Sequence, residues 1–496
     1  MRSVILLLLV ILLIHLPALR GGFVWDDKDT VIRERCPGLS WWRLFIPAEF
    51  SRCAGELGYR PLVAISHELD TALWGKNPAG HHMTNIVLHL LVALLLAILI
   101  RDIGYSRGAM IMGTLIVSVH PLTVEPVSAI SFRTDIMATA FMLGSLLLAR
   151  RARYVPAILV FLGALLCKET ALLLPVGVIM MINNRRARLS GVMALLSAGY
   201  LFIRFGMARS AAESVLPYMG GSFRAAVVNA PAMLFRAAGH LLYPRPCPDR
   251  SALEPASAVM TGMSWIGLAA ILLALILLYR KQHHHVIWLG MVLLFLLPSL
   301  GLYPLKMILA DRYLYTPLMF AGVSVAWVIS RYNGRLRYGI AGLIICGEMW
   351  VALITQPMWW NEETLFRETA VCAPKSASAR YNYGRSLAQL GRYAEAEEEL
   401  NHALSLRPSY THARLALGVV QFRQGRFTEA VQSFRRAELS GGEDPRIAVN
   451  IAQAFLGLTD TVSAVTELNR ALTLDGQHPA ALTLLDTLRG YEKEFP

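Results

Sequence analysis

Residues 4–19 read Val4-Ile5-Leu6-Leu7-Leu8-Leu9-Val10-Ile11-Leu12-Leu13-Ile14-His15-Leu16-Pro17-Ala18-Leu19, with Arg2 before them and Arg20-Gly21-Gly22 after. No small-x-small site for a signal peptidase follows, so the run reads as an uncleaved first transmembrane helix. Further apolar runs begin near Ile86, Ala109, Ile136, Tyr154, Thr170, Leu189, Trp265, Val286, Tyr313 and Tyr338. Several are short against the roughly 20 residues that a span requires. Together they predict eleven spans. Composition agrees: the 496 residues are 55% hydrophobic and only 16% charged.

The formal net charge of +13 is distributed in short clusters between apolar runs. That pattern is a topology signal and not a nucleic-acid footprint. Arg2, Arg101/Arg107, Arg150/Arg151/Arg153, Arg185/Arg186/Arg188, Arg280/Lys281 and Arg331/Arg335/Arg337 occupy every second connection. The positive-inside rule makes those connections cytoplasmic. The opposite short connections hold only Arg133, Lys168, Lys306 and Arg312. An odd number of spans then puts the C-terminus outside, in the periplasm or its equivalent. Ala225 to Tyr243 is fairly apolar but contains Asn229, Pro231, Arg236 and His240. It is expected to lie as an amphipathic helix at the outer interface, since a span there would place every later basic cluster outside.

After Trp360 the apolar runs stop and a period of 34 residues appears: Gly384 to Gly418, Gly391 to Gly425, Ala396 to Ala430, Ala403 to Ala437, Pro374 to Pro408. This is the tetratricopeptide spacing. A second shift reaches Ala452, Thr459, Ala464 and Ala471, a degraded third repeat, and Ala480 to Tyr491 could cap the stack. Asn361 to Cys372 reads as the second helix of a preceding half repeat. The fold class expected is all-α: a polytopic helix bundle over residues 1–356 with a first outer loop at 21–80, then a repeat solenoid over 357–496 outside the cytoplasm.

The six cysteines show no CxxC pair and no metal-ligand spacing, which argues against a zinc or redox centre. Cys36 and Cys53 share the first outer loop, where either a disulfide or two free thiols is allowed. His82, Asn85 and His89 fall on one helix face without a carboxylate at matching spacing, so a buried polar network is favoured over a metal site. His283-His284-His285 adjoins a basic cluster and reads as surface.

Phe23-Val24-Trp25-Asp26-Asp27 sets two carboxylates at the outer membrane surface, either as a reaction centre or as an ordinary solvated helix end. The other outer connections also concentrate polar residues: His120-Pro121-Leu122-Thr123-Val124-Glu125, Arg133 and Asp135, Lys168-Glu169, and Asp311-Arg312-Tyr313. Charges this close to spans are costly unless paired or facing a wet cavity. Their convergence on one side suggests a site, with interhelical ion pairs as the bland alternative.

These residues carry a specific resemblance. Trp25-Asp26-Asp27, Tyr59-Arg60-Pro61-Leu62, His82-Met83-Thr84-Asn85, His120-Pro121 to Glu125 with Arg133-Thr134-Asp135, Cys167-Lys168-Glu169, Ala310-Asp311-Arg312-Tyr313-Leu314-Tyr315 and the trailing repeats occur in the order seen in one family. In that order the chain resembles the transmembrane-and-TPR protein O-mannosyltransferases, a branch of the GT-C glycosyltransferases. The departures are a short repeat array and Cys167 before Lys168. The resemblance implies transfer of mannose or a similar hexose from a polyprenyl-phosphate donor to a Ser/Thr hydroxyl of a protein held near the repeats, without a metal cofactor. It also implies Asp26 as the base, by analogy with the first acidic residue of the GT-C first-loop motif. Asp27 would then orient the acceptor or hold Asp26, and the two roles could be exchanged.

A departing phosphate needs fixed positive charge, for which Arg60, Arg133, Lys168 and Arg312 are the candidates. Glu125, Asp135 and Glu169 are supporting acids, pairing with those cations or with a divalent metal if one is used. Two other classes compete: a non-catalytic membrane scaffold that presents repeats, and a transporter. The transporter is disfavoured because the charges cluster at one face and not at mid-span.

Overall fold

The computed structural model describes residues 2–28, 30, 40–54, 58–181, 184–204, 218–248, 255–280, 285–302, 309–332 and 334–494. These residues form helices and no strand. They divide into two compact units, Met1–Thr364 and Leu365–Pro496.

In the first unit, seven helices among the described residues are long and apolar enough to cross a membrane: Arg2–Arg20, Pro78–Ile103, Ile130–Arg150, Phe223–Leu242, Ala258–Arg280, Asp311–Arg331 and Leu336–Trp359. Arg107–Ser118 and Pro121–Ser128 make an eighth if read as one span bent by 57°. The bend falls at His120-Pro121, where proline removes a backbone donor from the ladder. The helices Tyr154–Leu165, Glu169–Ile179, Ala187–Phe202 and Val286–Leu300 occupy the remaining predicted runs. All eleven runs are therefore helical, but these four are short. Pro175 and Pro298 interrupt two of them, each opening a new helical segment. Phe223–Leu242, expected at the interface, also meets the length and composition of a span.

Close helix crossings hold the bundle together. A Cβ added at Gly322 would lie 2.8 Å from the carbonyl of Gly113, and one at Gly113 would lie 2.6 Å from that of Gly322. The missing side chains let the two helix backbones touch, the route to van der Waals gain that lipid surroundings favour. Polar groups are paired within the bundle as well. Asn85 Nδ2 donates to the carbonyl of Ala129 at 3.1 Å and its Oδ1 accepts from Arg133 at 2.9 Å. His89 bonds the Tyr315 hydroxyl at 2.6 Å and the Ser118 carbonyl at 2.9 Å. Asn85 and His89 thus belong to a buried bracing network, and His82 on the same face is buried beside them.

The second unit contains the helix pairs Ala377–Gln389/Tyr393–Leu406, Thr411–Arg423/Phe427–Gly441 and Pro445–Gly457/Thr461–Leu474, then Pro479–Glu494. Small residues set the pairing distance: a Cβ at Gly384 would meet Leu400 at 2.9 Å, and one at Gly418 would meet Phe434 at 2.6 Å. The turn inside each pair needs a left-handed residue. Gly391 and Gly425 supply it at φ +77°, and Thr459, one period later, is held at φ +61°. A β-branched residue there is strained, which explains locally why the third repeat is poorly legible. Thr459→Gly should therefore stabilise this unit by about 1 kcal/mol, the rough cost of the left-handed conformation. Chemical denaturation monitored at the repeats measures it, and an unchanged midpoint would mean that the strain is relieved by neighbours.

Candidate active site

The segment after the first helix is fastened over its opening residues. The backbone N–H of Gly22 donates to the carbonyl of Trp360 at 2.9 Å, and the Trp360 indole donates to the carbonyl of Pro17 at 3.1 Å. Gly21 admits no side chain, since a Cβ would lie 3.0 Å from His82 Nε2. Lys28 pairs with Glu362 at 2.6 Å. Between these points Trp25 takes a left-handed φ of +52°, and Asp26 is half-buried with its carbonyl accepting from Thr30.

Asp27 has no exposed surface. Its carboxylate accepts from the backbone N–H of Ser131 at 2.7 Å and of Val24 at 3.2 Å. This ties the loop to the turn Ile130–Phe132 and sets Trp25 edge-on to Phe132, with centroids 6.2 Å apart. The guanidinium of Arg312 lies over the Phe132 ring at 4.0 Å, so one aromatic ring separates the loop from a cation.

Arg312 pairs with Glu125 at 2.5 Å, Lys168 with Asp135 at 2.5 Å, and Arg60 with Glu169 at 2.8 Å. Lys168 also lies 5.2 Å from the centre of the Tyr313 ring. Asp135 interacts electrostatically with Arg60, Lys168 and Arg312, so the three pairs form one cluster. A small cleft beside Glu125 is lined by Asp311, Pro246, Pro248, Thr355 and Trp359. Arg60 and Arg312 remain partly exposed, at 20% and 12% of their side chains, against 6% for Lys168.

Arg133 stands apart, and the structure corrects its assignment as a phosphate ligand. It is fully buried, and all its guanidinium nitrogens are used. Nε donates to Asn85 at 2.9 Å, Nη1 to the Ser66 carbonyl at 3.2 Å, and Nη2 to Asp70 at 2.5 Å and the His81 carbonyl at 3.2 Å. A phosphate would have to displace a buried ion pair, whose breakage typically costs about 3–5 kcal/mol.

Two participants escaped the sequence reading. Asp70, which also accepts from Thr84 at 2.7 Å, lies on Pro61–Trp74, a helix within what reads as a loop. Two acids, Glu68 and Asp70, in the otherwise largely apolar stretch Pro61-Leu62-Val63-Ala64-Ile65 to Trp74 were the available signal. Arg204, 3.6 Å from Glu169, gave none. Cys53 is disulfide-bonded, while Cys36, His283 and His284 lie outside the described residues.

This geometry defines an all-α membrane bundle with a polar cluster at the ends of its helices, followed by an array of tetratricopeptide repeats. A tetratricopeptide-repeat model matches residues 362–411 and 381–446. Human protein O-mannosyl-transferase TMTC4 is 24% identical over 465 residues, covering 76% of this chain and 62% of that protein. Human protein O-mannosyl-transferase TMTC1 is 24% identical over 490 residues, covering 81% of this chain and 55% of that protein. Human protein O-mannosyl-transferase TMTC2 is 32% identical over 146 residues, 27% of this chain and 17% of that protein. The chain is similar to these protein O-mannosyl-transferases, and it spans less than two thirds of the length of the first two.

Burial pushes the Asp27 carboxyl up from 3.8 to about 6, against the lowering effect of the Ser131 N–H. The folded chain therefore holds this proton more tightly than the unfolded one. The stability it contributes is full below 3.8 and is lost as pH rises through about 6. Thermal unfolding in detergent should show that decline for the unmodified protein and a flatter profile for Asp27→Asn. Parallel profiles would assign the decline to other groups.

Proposed function

We propose that the protein is an integral-membrane glycosyltransferase that moves a hexose, mannose or a close relative, from a polyprenyl-phosphate donor to a Ser or Thr hydroxyl of a protein held near the repeats. The observation that carries this reading is the juxtaposition of the Trp25-Asp26-Asp27 loop with the Arg312–Glu125 pair across a single aromatic ring. Transfer requires a base for the acceptor proton and positive charge for the departing phosphate, and these are the two parts brought together. The names of the relatives agree with it.

Asp26 is the base in this reading. Asp27, which accepts two backbone N–H groups, holds Asp26 in place instead of taking the proton. Arg312 and Arg60 meet the phosphate, and Lys168 with Asp135 fixes the electrostatic ground between them. The phosphate of a phosphodiester donor is a good leaving group, so a second carboxyl acting as acid is not obligatory. The chemistry proceeds without a metal. Asp26→Asn should lower transfer about 100- to 10,000-fold, the usual range for general-base catalysis, with donor binding retained. Arg312→Ala should instead weaken donor binding. Measured with a radiolabelled lipid-linked sugar, a fully active Asp26→Asn variant would exclude Asp26 as base and favour a scaffold.

The topology that suits this chemistry has the N-terminus in the cytoplasm, Phe223–Leu242 lying at the outer interface, and the repeats outside. Disulfides persist outside the cytoplasm. The disulfide-bonded Cys53, Cys247 and Cys372 all fall on the outer side in that arrangement. If Phe223–Leu242 crossed, Cys247 and Cys372 would face the cytoplasm. Cysteines introduced on the repeats should react with an impermeant maleimide on intact cells. Reaction only after permeabilisation would mean that Phe223–Leu242 spans.

A further inference from the structure

The charges of the repeat unit are sorted by helix. The first helices of the three pairs carry Arg380, Arg385, Arg414, Arg423 and Arg446 and not one Asp or Glu. The second helices carry Glu395, Glu397, Glu398, Glu399, Glu429, Glu438 and Glu467 together with Arg435, Arg436 and Arg470. Each first helix touches the next first helix as well as its own partner, so the three form one continuous layer. That layer is basic and the opposite layer is dominated by acids.

Three of the five arginines are committed locally. Arg380 pairs with Glu399 at 3.0 Å, Arg446 with Asp444 at 2.6 Å, and Arg414 donates to the Pro408 carbonyl at 2.7 Å. Arg385 and Arg423 have no ion pair among the described residues. The 34-residue period superposes Arg385 on Val419, and Arg423 lies one turn beyond Val419 on the same helix face. Both charges therefore occupy the same face of successive helices, turned away from Gly384 and Gly418, where the second helices pack.

An aromatic cluster lies on that face. Tyr381, one turn before Arg385, has its ring centroid 5.3 Å from Tyr410 and 6.4 Å from His412. Arg407 lies over Tyr410 at 4.9 Å, and Val419 is 41% exposed. Rigid aromatic surface on the same layer as unneutralised guanidinium groups suits an extended chain that presents carboxylates.

We infer that the first-helix layer of the repeats binds an extended acidic segment of a partner polypeptide, with Arg385 and Arg423 taking side-chain carboxylates and Tyr381, Tyr410 and His412 packing on the adjoining backbone. As a dock for the sugar acceptor this rests on the proposed transferase reading, but the binding itself needs no sugar transfer.

The test is fluorescence anisotropy on the detergent-solubilised full chain with short labelled peptides of alternating Glu-Ser, Gln-Ser and Lys-Ser. The Glu-Ser peptide should bind best and lose affinity with added salt. R385E and R423E should each weaken it about fivefold, and together roughly twenty-fivefold if the sites are independent. R385K should retain most of the binding. R436E, the same charge change on an exposed second-helix position, should leave it unchanged. Equal affinity for Glu-Ser and Gln-Ser, or an R436E loss as large as that of R385E, would overturn the inference. So would binding to anionic phosphatidylglycerol vesicles through these arginines with no binding of the acidic peptide. Because no donor is present, a failed binding assay leaves the transferase reading standing, and an inactive enzyme leaves this result readable.

Discussion

One buried carboxylate sets the geometry of the loop that carries the two acids. Asp27 takes the backbone N–H groups of Ser131 and Val24 into a site with no exposed surface. Backbone donors removed from water must find acceptors, so the first loop cannot detach from the Ile130–Phe132 turn without leaving them unsatisfied. The left-handed Trp25 is tolerated for the same reason, because its neighbours determine its conformation more strongly than its own preference does. From that attachment follows the approach of Trp25 to Phe132, the ring over which Arg312 lies.

Ion pairs that look alike on paper divide into two kinds. Arg133 with Asp70 is a bracing unit: every guanidinium nitrogen is used, Arg133 has no exposed surface, and its partners come from two helices, Pro61–Trp74 and Pro78–Ile103. Arg312 with Glu125 and Arg60 with Glu169 keep an edge toward solvent. A guanidinium that keeps an exposed edge can exchange its carboxylate for a phosphate at lower cost than a sealed one.

How much could be read beforehand follows this division. Apolar runs and the 34-residue period are local patterns, and both appear as helices at the expected places. Charge asymmetry between the connections anticipates the gathering of Glu125, Asp135, Lys168, Glu169 and Arg312. The fate of Arg133 was not legible, because Asp70 is 63 residues away in sequence on a helix within an apparent loop. A charge at a span end looks the same whether it faces a cleft or a neighbouring helix, and only the rotational setting of the helices decides. Lengths of the short apolar helices were blurred likewise, since Pro175 and Pro298 end segments without ending the apolar run.

The fastening of the first helix to residues 356–360 bears on biosynthesis. The Trp360 indole reaches the Pro17 carbonyl, Gln356 reaches that of Ile14, and the two bonds bridge 343 and 342 residues of sequence. A chain made from its N-terminus inserts its opening helix long before the residues that hold it exist. The loop bearing Asp26 and Asp27 therefore waits, incompletely supported, until the last apolar helix has emerged. A truncated product that stops before Trp360 would carry the whole acidic motif yet lack the clasp that orders it, so the chain's own synthesis acts as a timer on the appearance of the site.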